Sequence, residues 1–298
     1  MKNLVELIQK AKSMPGKKVS LAGADEVDAL LALEKARAEG IADGVLVGNK
    51  DNIAQTAETA GIDLSNYEIA HVDSAKEASK KAVSIIRDGG ADALMKGLVS
   101  TADFMRAILD KERGLIASKL LSHIALFEIP HYHKLLGVTD AAINIAPTIE
   151  EKAVMISNAV KIFHNIGIDE PKVACVCAVE KVNPGKMPCT EDAAILAGMN
   201  RAGQIAGCIV DGPFGLDNAV NAEAAQLKGI TDTTAGDADL ILCPNIESAN
   251  VLYKTLAYLA GCTCGAIVVG TSAPVILTSR ADTDESKFAS LALGIAAS

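Results

Sequence analysis

The sequence predicts an α/β protein whose sheets are largely parallel, organised as two domains or as one large α/β unit with an inserted lobe. Three observations carry this expectation. Short β-branched runs alternate with longer helix-like stretches over nearly the full length, which is the pattern of successive βα units. Hydrophobic residues make up 50% of the chain but aromatic residues only 3%, with no Trp. Ala, Val, Ile and Leu must therefore fill a core of the kind that parallel strands share with covering helices. At 298 residues the chain is also longer than one hydrophobic core usually serves.

Taken in order, residues 1–13 (MKNLVELIQKAKS) read as an amphipathic helix, with Leu4, Leu7, Ile8 and Ala11 at helical intervals, and not as a signal peptide. Strands are expected at 19–23 (VSLAG), 44–48 (GVLVG), 67–71 (YEIAH) and 91–97 (ADALMKG). Helices accompany them at Asp25–Glu39, Ser74–Asp88 and Thr101–Asp110. Helical periodicity lapses near Pro130–Leu136, and a new strand-like run begins at Val138. The helix Ile149–Ile166 then precedes strands at 172–179 (KVACVCAV) and 207–212 (GCIVDG), separated by a helix at Thr190–Ala202. Strands at 238–244, 266–270 and 275–279 and a helix at Ser248–Ala260 complete the layout. The expected division is a first domain of residues 1–135 with 270–298, the tail returning to complete its sheet, and a second domain of residues 136–269.

The net charge of -9 argues against a general affinity for nucleic acid or anionic lipid, since both require an excess of Lys and Arg. Any anion site must be a local concentration of basic groups. The seven Cys have no paired secretory spacing, so the expectation is a cytoplasmic protein with reduced thiols. The stretch Ala266–Leu277 is broken by Gly270 and Pro274 and is shorter than the ~20 residues of a membrane span. The C-x-C pairs Cys175/Cys177 and Cys262/Cys264 lack zinc-site neighbours and read as core filling. His123 suits a functional cleft edge and simple packing equally well.

Ligands of open α/β sheets sit beyond the carboxyl ends of the strands. After ADALM comes Lys96-Gly97-Leu98-Val99-Ser100-Thr101, with Arg106 five residues further. A cation, a permissive glycine and two hydroxyls thus reach the entrance of a helix, where exposed N–H groups favour a phosphate oxygen. Beyond CIV lie Asp211-Gly212-Pro213-Phe214 and Asp217-Asn218. Beyond ADLILC lie Pro244-Asn245, then Asn250 and Lys254. Beyond VILT lie Ser279-Arg280, where an Arg can fork onto two phosphate oxygens. Each has a bland alternative: Ser100 as a helix cap, Asp217 and Asn218 as caps, Ser279-Arg280 as a surface turn.

The segments ADALMKGLVSTADFMRAIL, TDAAINIAPTIEEK, DGPFGLDNAV, ADLILCPNIESANVLYKTL and PVILTSRADTDESK together resemble the phosphate acetyl/butyryltransferase family. MKGLVST and LTSRADTDES are similar to its butyryl branch. The resemblance implies a two-lobed α/β fold similar to isocitrate and isopropylmalate dehydrogenases, with the active site in the cleft between the lobes. It also implies transfer of a short acyl group between coenzyme A and phosphate, with coenzyme A as a substrate, no metal or redox cofactor, and a homo-oligomeric state. Ser279 and Arg280 match the family's pair beside the reacting acyl phosphate, and Arg106 matches an Arg that helps hold phosphate or coenzyme. Lys96, Ser100, Thr101, Asn245, Asn250 and Lys254 are the further candidate substrate contacts. Two departures stand out. Ser286 occupies the position of the acetyl branch's catalytic Asp, and Tyr258 falls where that branch often carries an Arg. Acetyl transfer, and an acyl-coenzyme A sensor without turnover, are the alternatives. A metal-dependent hydroxyacid dehydrogenase would need an acidic partner for Asp282-Thr283-Asp284-Glu285 that the sequence does not supply.

Overall fold

The computed structural model describes residues 1–277 and 282–298. The first half of the chain builds strands β1 (Lys18–Ala22), β2 (Asp43–Gly48), β3 (Glu68–His71), β4 (Ala93–Lys96), β5 (Ser122–Phe127) and β6 (Leu136–Thr139). The second half builds β7 (Lys172–Val176), β8 (Ile209–Phe214), β9 (Leu240–Leu242), β10 (Cys264–Val269) and β11 (Val275–Ile276). Helices α1 (Leu4–Lys12), α2 (Val27–Ala38), α3 (Lys50–Ala60), α4 (Ala75–Arg87), α5 (Thr101–Ile108) and α6 (Ile149–Asn165) are followed by α7 (Pro188–Arg201). The series ends with α8 (Leu216–Val220), α9 (Ala222–Leu227), α10 (Ile246–Lys254) and α11 (Asp284–Ala296). The expected helix over Ser248–Ala260 is two pieces, because α10 passes into a π-helical turn at Thr255–Leu259.

The chain divides into two compact units, one of residues 4–119 with 264–298 and the other of residues 1–3 with 120–263. The sequence placed the changes at 135/136 and 269/270. Segment 120–135 belongs with the second unit because β5 pairs antiparallel with β6. The Asn158 side chain of α6 also donates to the carbonyl of Leu120 and to Ser122 Oγ. Cys264 opens β10, which pairs with β11 and so lies with the first unit.

In the first unit the strand order is β3-β2-β1-β4-β11-β10. Pairings from β3 to β11 are parallel, and β10 joins antiparallel. Val19, Leu21, Leu46, Val47, Ala93, Leu94 and Met95 are all buried, as strands covered on both faces require, which is why the sequence shows continuous apolar runs there. The order reverses at β1: the chain steps to β2 and β3 on one side and returns to place β4 on the other. Helix α11 is buried from Ser286 to Ala296, and its close fit depends on Gly265, where a Cβ would lie 2.7 Å from the carbonyl oxygen of Ala289.

In the second unit the order is β5-β6-β9-β7-β8, parallel except for β5. Cys175 is buried on β7, as core filling predicts, while Cys177 just beyond the strand is half-buried. At the amino edge of these strands Asp237 gathers Lys134, Lys172 and His133. Burial opposes its ionisation, yet hydrogen bonds from Lys172, Lys134 and His133 outweigh that and hold the carboxyl far below the usual range.

Candidate functional site

The strand order of the first unit reverses at β1, which puts the carboxyl ends of β1 and β4 at the position where open α/β sheets bind ligands. The turn after β4 is fixed there by backbone bonds from Gly97 N to Ala22 O (2.8 Å) and from Leu98 N to Gly23 O (2.7 Å). A Cβ on Gly97 would stand 2.2 Å from the Gly23 carbonyl oxygen, so only glycine lets the two turns approach this closely. Lys96 leaves the strand end and its ammonium bonds the Gly97 carbonyl at 3.2 Å.

The turn delivers Ser100 as the N-cap of α5, its Oγ accepting from Asp103 N at 3.0 Å. The capping alternative for Ser100 is therefore what its side chain does in this structure. The same hydroxyl donates to Asp103 Oδ2 at 2.8 Å. The other Asp103 oxygen is paired with Arg106. The Ser100 hydrogen bond, followed by Arg106, holds the Asp103 carboxyl below its ordinary range against the opposing effect of burial. Thr101 is exposed in the first turn of α5.

Arg106 faces a cavity of about 770 Å³ between α4 and α5, lined also by Lys76, Lys80, Arg87 and Arg113. Among the described residues Lys76, Lys80 and Arg113 form no side-chain ion pair within 4 Å, although Glu77, Asp103, Asp110 and Glu112 share the lining and offset part of its positive charge. Lys96, Ser100 and Thr101 are not part of that lining. Sequence reasoning found Arg106 but missed the other cations, because Lys76 and Lys80 sit on α4 and converge with Arg106 only through packing of two helices. Their spacing of four residues on one helix was the available signal.

Ser279 and Arg280 lie outside the described residues. The strand before them, β11, runs parallel to β4 with Ile276 beside Met95, so it ends at the edge where Lys96 emerges. Downstream, Thr283 caps α11 through Ser286 N. Ser286 is only 8% exposed, and its Oγ accepts from Cys264 N at 3.3 Å. The residue in the family's acidic position is thus bound to β10, while Asp284 and Glu285 are exposed in the first turn of α11.

The carboxyl edge of the second unit is organised by Asp140, a residue the sequence reading did not single out. It is 2% exposed. Its carboxylate accepts from the backbone N–H groups of His123 (3.2 Å), Ala142 (2.9 Å), Ile143 (3.0 Å) and Asn144 (3.3 Å). Asn245 caps α10, its Oδ1 accepting from Ser248 N at 3.0 Å. Asn250 Nδ2 donates to the Ala141 carbonyl at 3.0 Å, tying α10 to the loop that Asp140 folds. Lys254 places its ammonium 5.7 Å from the ring centre of Tyr258. His123 is 6% exposed and meets Tyr253 edge to face at 5.9 Å, with Phe127 on the same tyrosine at 5.2 Å. Asp217 and Asn218 do not cap a helix: Gly215 holds that position in α8. Asp217 instead pairs with Lys228, and the buried Asn218 donates to Glu180.

A family model described as phosphate acetyl/butaryl transferase matches residues 70–295. The phosphate butyryltransferase of Clostridium beijerinckii is 50% identical over 292 residues, which is 98% of this chain and 96% of that protein. The crystal structure of a branched-chain phosphotransacylase from Enterococcus faecalis V583 is similar with a TM-score of 0.85 at 31% identity, over 94% of this chain and 98% of that one. The 4-hydroxythreonine-4-phosphate dehydrogenase of Klebsiella pneumoniae shares the fold alone, with a TM-score of 0.56 at 11% identity over 94% of this chain and 99% of that one.

Proposed function

The chain belongs to the phosphate acetyl/butyryl transferase family, and on that premise we propose that it interconverts a short-chain acyl-coenzyme A plus phosphate with acyl phosphate plus coenzyme A, butyryl-coenzyme A being the preferred donor. The observation that carries this reading is the cavity beside Arg106, where Lys76, Lys80 and Arg113, without an ion pair among the described residues, suit the several phosphates of coenzyme A in a chain of net negative charge. The 50% identity to a phosphate butyryltransferase supports the butyryl preference.

In the acyl phosphate direction the thiolate of coenzyme A attacks the carbonyl carbon, negative charge develops on the carbonyl oxygen, and phosphate leaves with the electrons of the broken C–O bond. Ser279 and Arg280 supply hydrogen bonds and charge to that oxygen and to the phosphate. Lys96, Ser100 and Thr101 add cation and donors at the strand end, and Arg106 holds coenzyme. Asn245 and Asn250 shape the carboxyl edge of the second unit, where Lys254 adds a cation. A thiol of pKa ~8.5 is a few per cent ionised at neutral pH, so a base gains only about 2 kcal/mol. A single oxyanion donor contributes about 2.7–4 kcal/mol. Placed donors therefore outweigh a dedicated base, in keeping with Ser286 at the family's acidic position. No metal or redox cofactor enters this reading. The protein acts in the cytoplasm as a homo-oligomer, and no helix among the described residues is long and apolar enough to cross a membrane.

The test is release of free thiol from acetyl-, propionyl- and butyryl-coenzyme A in the presence of phosphate, with and without EDTA. Turnover that survives EDTA and is fastest with the butyryl substrate supports the reading. Binding without turnover identifies a sensor, and a preference for acetyl overturns the butyryl assignment. Arg280→Ala should slow turnover at least 100-fold, more than Asp284→Ala, Glu285→Ala or Ser286→Ala. Near-normal rates in Arg280→Ala would remove it from the mechanism.

A further inference from the structure

In the cavity between α4 and α5, the cation that the family resemblance singles out is not available. Arg106 is paired with Asp103 one turn earlier on the same helix. The carboxylate is itself fixed, since Ser100 Oγ both accepts from Asp103 N and donates to Asp103 Oδ2. Asp103 lines the same cavity as Arg106 and Lys76, and its charge acts on Lys76 as well. A cap alone requires none of this: Ser100 satisfies the helix end through the backbone N–H of residue 103, whatever side chain that residue carries.

We propose that Asp103 is an internal counter-ion that occupies the Arg106 guanidinium in the empty protein and is exchanged for a phosphate group when coenzyme A or its acyl ester binds. It is a positioning residue, acting on the ligand through Arg106. The inference rests on the reading of this cavity as the coenzyme site. A carboxylate and a phosphate compete for the same planar donor fork, and the monodentate pair with Asp103 is the weaker of the two because its Arg106 end is exposed and its Asp103 end partly so. The carboxylate keeps the guanidinium from collapsing onto other acceptors, at the cost of some affinity. This exchange sets how tightly the substrate binds and so how readily the coenzyme product leaves.

The experiment is a double-mutant cycle of Asp103→Asn and Arg106→Ala, read as KM for butyryl-coenzyme A and as the Kd of coenzyme A by calorimetry. Asparagine retains one oxygen for the Ser100 hydroxyl while it removes the charge and replaces the oxygen that faces Arg106 by an NH2 donor. Asp103→Asn should lower both constants about two- to five-fold, the range of an exposed ion pair. In the Arg106→Ala background the same substitution should have a clearly smaller effect, the part that comes from the Asp103 charge facing Lys76. Unchanged or raised constants in Asp103→Asn overturn the inference, as does an equal shift in both backgrounds, which would mark a general charge effect or helix capping. If Arg106→Ala itself leaves both constants at the wild-type value, the reading of the cavity fails, and that result is separate from any behaviour of Asp103.

Discussion

The turns β4–α5 and β9–α10 are built alike and used differently. Each carries a strand into a helix whose first turn is closed by a side-chain oxygen, Ser100 in one and Asn245 in the other. Around α5 the basic groups face a cavity, and among the described residues Lys76, Lys80 and Arg113 have no ion-pair partner. Around α10 the polar groups are engaged within the protein, Asn245 on its own helix end and Asn250 on the Ala141 carbonyl. The same strand-turn-helix pattern thus marks a position where a ligand can bind, but whether its side chains are available depends on what packs beside the helix. An asparagine at such a turn is a weaker sign of a substrate contact than an arginine, because its short amide finds backbone partners locally.

Substitutions can break this contrast, and the largest effect belongs to the first turn. Gly97→Ala puts a Cβ against the Gly23 carbonyl and should cost about 1–3 kcal/mol of stability together with most of the activity, measured by urea unfolding and thiol release. A variant of normal stability would show that the turn yields more easily than its geometry implies. Arg106→Ala should leave the melting temperature nearly unchanged and raise KM for butyryl-coenzyme A about ten-fold, the loss of one charge-assisted hydrogen bond. For α10 the signature should invert. Asn245→Ala removes a cap and should cost about 1 kcal/mol of stability, and Asn250→Ala about 0.5–1.5 kcal/mol, each changing KM less than Arg106→Ala does. If either raised KM ten-fold without loss of stability, the two turns would be equivalent as ligand contacts.

Much of this was legible in the chain itself. Continuous apolar runs are a one-dimensional consequence of strands buried on both faces, so the α/β class and most strand positions follow from them. The Gly after Lys96 and the Ser before the helix were readable as a turn and a cap, since both effects are local. Strand β5 was not legible: SHIALF reads as an apolar run of ambiguous period, and its antiparallel pairing with β6 is a long-range choice. The site divides in the same way. Lys96, Ser100, Thr101 and Arg106 follow one strand in sequence, whereas Lys76 and Lys80 join Arg106 only because α4 lies beside α5. Asp140 looked like any acidic residue until the fold turned four backbone N–H groups toward it.

Sequence by itself determined the alternation of strand and helix, the net negative charge that any anion site must overcome locally, and the motifs that mark the acyltransferase family. Tertiary structure decided which charged groups are paired and which are left to a ligand. Some pairings, such as Lys287 with Asp28, join elements far apart in the chain, and even the local pair of Asp103 with Arg106 on one helix acquires its meaning from the cavity that α4 forms beside it.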